Sequence, residues 1–167
     1  MSFSVRRATV DDLPAIRAAL AWTIDWRGTA LAQTPEEIIE RTGHAYLLAD
    51  WGREGDAAMI AETASGPVGA AWYRHWTEAV HTYGYVDPSV PDLGIGVHPD
   101  HRGRGVGTTL VEALLQSAAT AGVSRMSLSV EADNRAQHLY QRAGFVRLEP
   151  EGGSWTMVRR LDDDTRQ

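Results

Sequence analysis

The apolar and polar positions along the chain alternate between two periods and divide it into short elements. Phe3 to Ala8 has the length and pattern of an opening strand. Leu13, Ile16, Leu20 and Ile24 then recur every three or four residues, the buried stripe of a helix. Asp11 or Asp12 is placed to cap that helix, which puts Pro14 in its first turn, where a missing N–H is harmless. A second helix opens at Thr34-Pro35-Glu36-Glu37: Thr34 and Glu37 have capping-box spacing, and Pro35 takes the first helical position. Gly43 either ends this helix or interrupts it, because Ala45, Leu48 and Ala49 continue its apolar face.

Further along, Ala57 to Thr63 and Val68 to His75 read as two strands joined by the turn Ala64-Ser65-Gly66-Pro67. A long irregular segment leads to a strand carrying Leu93, Ile95 and Val97. Leu110, Val111, Leu114, Leu115 and Ala118 give Val106 to Ala121 one apolar helical face, which Gly122 stops. Met126, Leu128 and Val130 alternate with Ser127 and Ser129, the period of a strand with one apolar side. Asn134 to Ala143 reads as a helix closed by Gly144, and Phe145 to Leu148 pairs with Ser154 to Arg159 around Gly152-Gly153. The result is an α/β order: strand, two helices, three strands, helix, strand, helix, two strands.

Composition narrows the class. A chain of 167 residues buries about two-thirds of its extended surface in one core, so residues 1–161 are predicted to form a single domain. The acidic tail 162–167 is predicted to be mobile. No apolar run reaches the ~18 residues of a membrane span, and the N-terminus lacks the pattern of a signal peptide. A cytoplasmic protein without membrane association is therefore expected. The absence of cysteine excludes disulfides, thiolate metal ligands and a cysteine nucleophile, and no metal is expected. A net charge of −6 argues against a nucleic-acid binder, which ordinarily carries a basic face.

Against that acidic background one stretch stands out, Val97-His98-Pro99-Asp100-His101-Arg102-Gly103-Arg104-Gly105-Val106-Gly107-Thr108. It joins a strand to a helix with three glycines and two arginines. Glycine lets main-chain N–H groups approach a ligand closely, and a helix N-terminus offers unpaired donors to an anion. A phosphorylated ligand is implied, a ligand-free glycine turn being the plainer alternative. A P-loop is excluded because no lysine precedes Thr108, and Gly103-x-Gly105-x-Gly107 lacks the spacing of a dinucleotide fingerprint.

Arg102-x-x-Gly105-x-Gly107 resembles the R/Q-x-x-G-x-G/A loop of the GNAT family of N-acetyltransferases. Asp92-Leu93-Gly94-Ile95-Gly96-Val97-His98-Pro99 resembles the family's fourth strand. Asn134-x-Ala136-x-x-Leu139-Tyr140 followed by Gly144-Phe145 resembles its next helix. The resemblance is close from Asp92 to Phe145 and general before that. It implies the GNAT (acyl-CoA N-acyltransferase) fold, a mixed twisted sheet of about six to seven strands flanked by about four helices, in which a pantetheine arm enters between the fourth and fifth strands.

The activity it implies is transfer of an acetyl group from acetyl-CoA to a primary amine of a small molecule or peptide, by direct attack on the thioester. A non-catalytic acyl-CoA sensor is the alternative. The resemblance assigns the pyrophosphate to Arg102, Gly103, Arg104, Gly105, Val106, Gly107 and Thr108, mainly through main-chain N–H groups, with the two arginines adding charge. Ile95, Val97 and His98 would pair with the pantetheine amides, and the Val97 N–H would face the thioester oxygen, a kind of donor worth about 3 kcal/mol in the barrier. Tyr140 would protonate the departing thiolate or, on its apolar stripe of Ala136, Leu139 and Ala143, simply fill the core. Asn134 would cap its helix and bond a pantetheine carbonyl.

For the general base, Asp92 stands where many relatives carry glutamate. It is one methylene shorter, so a bridging water would be needed, and a loop carboxylate is the plain alternative. Glu131, His98 and Glu62 are weaker candidates, and His75 and His81 suit the surface or the acceptor site as well as they suit a base. Trp22, Asp25, Trp26, Trp76, Glu78, His81, Tyr83 and Tyr85 would suit a cationic amine through ring faces and carboxylates. They would equally suit packing or a homodimer contact.

Overall fold

The computed structural model describes residues 2–30, 32–151 and 153–162. Its strands are β1 (Ser4–Arg7), β2 (Ala57–Thr63), β3 (Gly66–Arg74), β4 (Asp92–Val97), β5 (Arg125–Glu131), β6 (Val146–Glu151) and β7 (Ser154–Arg160). Its α-helices are α1 (Leu13–Ile24), α2 (Pro35–Arg41), α3 (Val106–Thr120) and α4 (Ala136–Arg142). The strands form a mixed seven-stranded sheet in the order β1-β2-β3-β4-β5-β7-β6. β1 and β2 are antiparallel, β4 meets β5 in parallel at Asp92↔Ser127, and β7 is antiparallel to both β5 and β6. Among the described residues no helix is long and apolar enough to cross a membrane.

The chain groups into two compact units, Met1–Trp72 with Gly94–Leu114, and Tyr73–Leu93 with Leu115–Gln167. In the first, the stripe read from the sequence packs as expected. Ile16 and Leu20 of α1 are buried with Ile38 and Ile39 of α2 and Ile60 of β2, each worth about 1.5–3 kcal/mol when fully withdrawn from water. Gly96 of β4 sits so close to α1 that a Cβ would fall 1.8 Å from the Ala19 carbonyl oxygen, so only glycine permits this approach.

Helix starts follow the sequence at α2 and α3 and differ in part at α1 and α4. Thr34 accepts from the Glu37 N–H while the Glu37 carboxylate accepts from the Thr34 N–H, closing the predicted capping box. At α1, Asp12, one of the two predicted caps, stands at the N-cap position with Pro14 in the first turn, but its side chain makes no capping bond to α1. Thr9 caps a short 3-10 turn, Val10–Asp12, and the Asp12 carboxylate reaches back to the Thr9 N–H, so the box lies one turn earlier. α2 stops at Arg41, Gly43 takes φ +74°, and Ala45–Leu48 continues as a 3-10 turn, so both readings of Gly43 hold in part.

The second unit centres on β5 and β7, with Met126, Leu128, Met157 and Leu161 fully buried. A register shift between Arg147 and Pro150 interrupts the β6–β7 ladder. α4 begins at Ala136, two residues later than predicted, with Arg135 at its N-cap position and Asn134 outside the helix, its Oδ1 accepting from the Ala136 N–H. Of the predicted acidic tail, Asp162 is described and lies 3.3 Å from Arg160. Residues 163–167, and Gly152 of the predicted final turn, fall outside the described residues.

Candidate active site

In the first unit, β4 ends at Val97 and passes through a 3-10 turn, Pro99–His101, into the glycine-rich loop and α3. Gly103 and Gly105 take φ +74° and +85° with no atom near a notional Cβ. Their requirement is conformational rather than steric. Among the described residues, nothing accepts a hydrogen bond from the main-chain N–H of Gly103, Arg104 or Gly105. The Gly105 carbonyl accepts from Thr109 N–H at 3.1 Å, so the N–H groups of Val106, Gly107 and Thr108 precede the first α3 hydrogen bond. Consecutive donors at the positive end of a fifteen-residue helix are chemically suited to a diphosphate.

The two arginines differ. The Arg102 guanidinium donates to three main-chain carbonyls, those of Val97, Trp26 and Trp22, each at 3.2 Å. Its side chain braces the loop against the end of α1, a use the sequence did not reveal. Arg104 is solvent-exposed. His98 is also engaged: its N–H donates to the Val68 carbonyl at 2.8 Å and its carbonyl accepts from His101 N–H. Its Nδ1 accepts from Asp100 N–H, and its ring meets the edge of Trp22 at 5.1 Å. Ile95 and Val97 are half-buried on β4.

In the second unit, Asp92 is 8% exposed. Burial pushes its carboxyl up to about 8, against the opposing pull of the Leu93 N–H. The Thr82 hydroxyl donates to its Oδ2. Tyr140 is the one buried residue of α4, with its ring edge-on to Phe145 at 6.1 Å. Burial first, and then the charge of Asp92, raise the Tyr140 phenol well above its ordinary value. Asn134, one position before the N-cap residue Arg135, accepts from Ala136 N–H through its Oδ1 at 2.9 Å.

The remaining candidates are distributed by the fold. Glu62 is ion-paired with Arg6 at 3.0 Å. The Asp25 carboxylate accepts from Thr29 N–H and Ala30 N–H, which makes it a turn cap. Trp76 is buried, with the Arg74 guanidinium 5.6 Å from its ring. His81 stacks on Tyr85 at 4.4 Å, while Tyr83 is 81% exposed. Sequence reasoning missed Thr82. It lies ten residues before Asp92 in an irregular segment, where no periodicity or motif marks it.

Residues 22–145 match the family model described as Acetyltransferase (GNAT) family. The chain is 33% identical over 147 residues to an L-methionine sulfoximine/L-methionine sulfone acetyltransferase of Pseudomonas paraeruginosa, covering 87% of this chain and 81% of that one. It is 32% identical over 144 residues to a mycothiol acetyltransferase of Gordonia bronchialis, covering 83% of this chain but 41% of the relative. A PaiA N-acetyltransferase from Thermoplasma acidophilum, solved in complex with coenzyme A, superposes with a TM-score of 0.70 at 18% identity, covering 96% of this chain and 99% of that one.

Proposed function

Because this chain belongs to the GNAT family of acetyltransferases, we propose that it carries the acetyl group of acetyl-CoA to the primary amine of a small, amino-acid-like acceptor by direct attack on the thioester. Acetyl-CoA-dependent N-acetyl transfer is the activity of the enzyme; the acceptor class and the residue roles are the proposal. Residues 1–161 act as one catalytic domain.

The observation that carries the reading is the row of N–H groups from Gly103 to Thr108, uncommitted within the loop and set before the first hydrogen bond of α3. These donors hold the diphosphate, and Arg104 adds charge from the exposed side. Arg102 acts through its brace to the Trp22 and Trp26 carbonyls, keeping the loop in register with the end of α1. Ile95 and Val97 offer their main chain to the pantetheine amides, with the Val97 N–H turned to the thioester oxygen. Bound there, the coenzyme supplies the activated acetyl group.

Two residues move the protons. Asp92 accepts one from the acceptor ammonium; a carboxyl held up to about 8 is better matched to that task than one near 3.8. Tyr140 donates to the departing thiolate. Its raised affinity for the proton keeps it a neutral hydrogen-bond donor across the working range, so it assists by hydrogen bonding or concerted transfer. An amino-acid-like acceptor is supported by the relative named for L-methionine sulfoximine and sulfone.

Thiol release from acetyl-CoA, followed over amino acids, their sulfone and sulfoximine derivatives, polyamines and short peptides, tests the proposal. Turnover is expected with one of the amino-acid-like amines, and Tyr140→Phe should lower kcat on the order of 10²-fold. Coenzyme binding without thiol release on any amine would overturn it.

A further inference from the structure

Asp92 lies beneath a turn of the segment that joins β3 to β4. The Thr82 hydroxyl donates to Asp92 Oδ2. A Cβ on Gly84 would stand 3.1 Å from Oδ1, 2.7 Å from the Leu128 carbonyl carbon and 2.9 Å from the Ser129 nitrogen. Glycine at 84 therefore lets the turn press on β5 and on the carboxylate together. The turn is closed by the Tyr85 N–H donating to the Thr82 carbonyl at 3.3 Å, and His81 Nδ1 donates to the same carbonyl at 2.8 Å. With its ring stacked on Tyr85, His81 fastens the residue on which the contact depends. Both carboxylate oxygens are thus covered. Asp92 is buried while Thr82, the residue that covers it, is half-buried.

We propose that the Thr82 hydroxyl relays the proton from the acceptor ammonium to Asp92. The inference rests on the assignment of Asp92 as the general base. Aspartate falls one methylene short of glutamate, and the hydroxyl spans the missing length that a bridging water would otherwise fill. A hydroxyl carries one donor and two acceptor lone pairs. With its O–H directed at Oδ2, it presents a lone pair to an N–H of the acceptor. In the step, that N–H bond breaks and a new O–H bond forms at Thr82, while the original Thr82 proton passes to Oδ2. The ammonium becomes an amine, the carboxylate becomes an acid, the hydroxyl is regenerated, and charge is conserved. Tyr140 of α4 is the ionisable group whose titration responds to the Asp92 charge. His81 is turned onto the Thr82 carbonyl.

Thr82→Val removes the hydroxyl and keeps the shape; Thr82→Ser keeps the hydroxyl. At neutral pH, Thr82→Val should lose on the order of 10²-fold in kcat/KM for the acceptor, with the KM for acetyl-CoA and the melting temperature near those of the unaltered enzyme. Thr82→Ser should stay within a few-fold. The valine deficit should shrink above the acceptor amine's own pKa, where no base is required. Equal loss in the serine and valine variants would assign Thr82 to packing and overturn the relay. So would an undiminished Thr82→Val beside a crippled Asp92→Asn, a result that leaves the base itself standing. An undiminished Asp92→Asn would remove the base and the relay together. Should Thr82→Val fail to fold, Thr82→Ala is read by the same criteria.

Discussion

Asp12 and Asp92 are alike in solvent exposure, 7% and 8%, but Asp92 lies deeper in the protein, and they hold their protons in opposite ways. Asp12 accepts two bonds from the Arg6 guanidinium, at 2.8 and 2.9 Å, and another from the Thr9 N–H at 2.6 Å. The guanidinium outweighs burial and pulls the carboxyl down to about 2. At Asp92 the bonds come from a hydroxyl and one main-chain N–H, no cation contributes, and burial wins, lifting the carboxyl to about 8. Burial alone does not determine what a carboxylate does. A cation turns it into a strut, whereas neutral donors leave it poised where protons are exchanged.

The sharpest way to break this contrast is to neutralise each carboxylate in turn. Asp92→Asn should cut kcat/KM by about 10²–10⁴ while leaving acetyl-CoA affinity intact, as read by steady-state kinetics and calorimetry. Loss of coenzyme binding instead would reassign Asp92 to structure. Asp12→Asn should do the reverse. It disrupts the capping box and costs about 1–2 kcal/mol, with little added for the half-exposed Arg6 pair. That amounts to roughly 2–8 °C in melting temperature, with kcat of the folded enzyme unchanged.

The most specific effect is the pH dependence of stability. Asp12 has a folded value below the ordinary 3.8, so its contribution is complete above about pH 4 and is lost as pH falls toward 2. Asp92 has a folded value above 3.8. Between about pH 4 and 8 the folded state therefore holds a proton that the unfolded chain has released, and stability from this group falls as pH rises through that window. Melting curves across pH should show the upper slope flattened in Asp92→Asn and the acid limb reduced in Asp12→Asn. An unchanged upper slope in Asp92→Asn would mean that the carboxylate is solvated.

The elements most legible in the sequence were those whose causes are local. The Thr34–Glu37 box, Pro35 at the first helical position and the Gly122 stop each depend on residues within one turn. The glycine-rich loop was legible for the same reason, since strand, glycines and helix start are contiguous. At α1 the position of the Asp12 cap is legible but its side-chain partners are not, because the carboxylate bonds Thr9 and Arg6, a residue of another element. Arg102 was read as a phosphate ligand by its charge, but its carbonyl partners at Trp22 and Trp26 lie about eighty positions away in the chain.

By itself, then, the chain determined the α/β order, the glycine loop and the family, because periodicity, capping and main-chain geometry act between near neighbours. Only the tertiary structure decided that a guanidinium holds the Asp12 carboxyl down, that burial pushes the Asp92 carboxyl up, and that Thr82 covers Asp92. Those outcomes depend on desolvation and on partners brought together by folding, and neither is encoded in the spacing of residues along the chain.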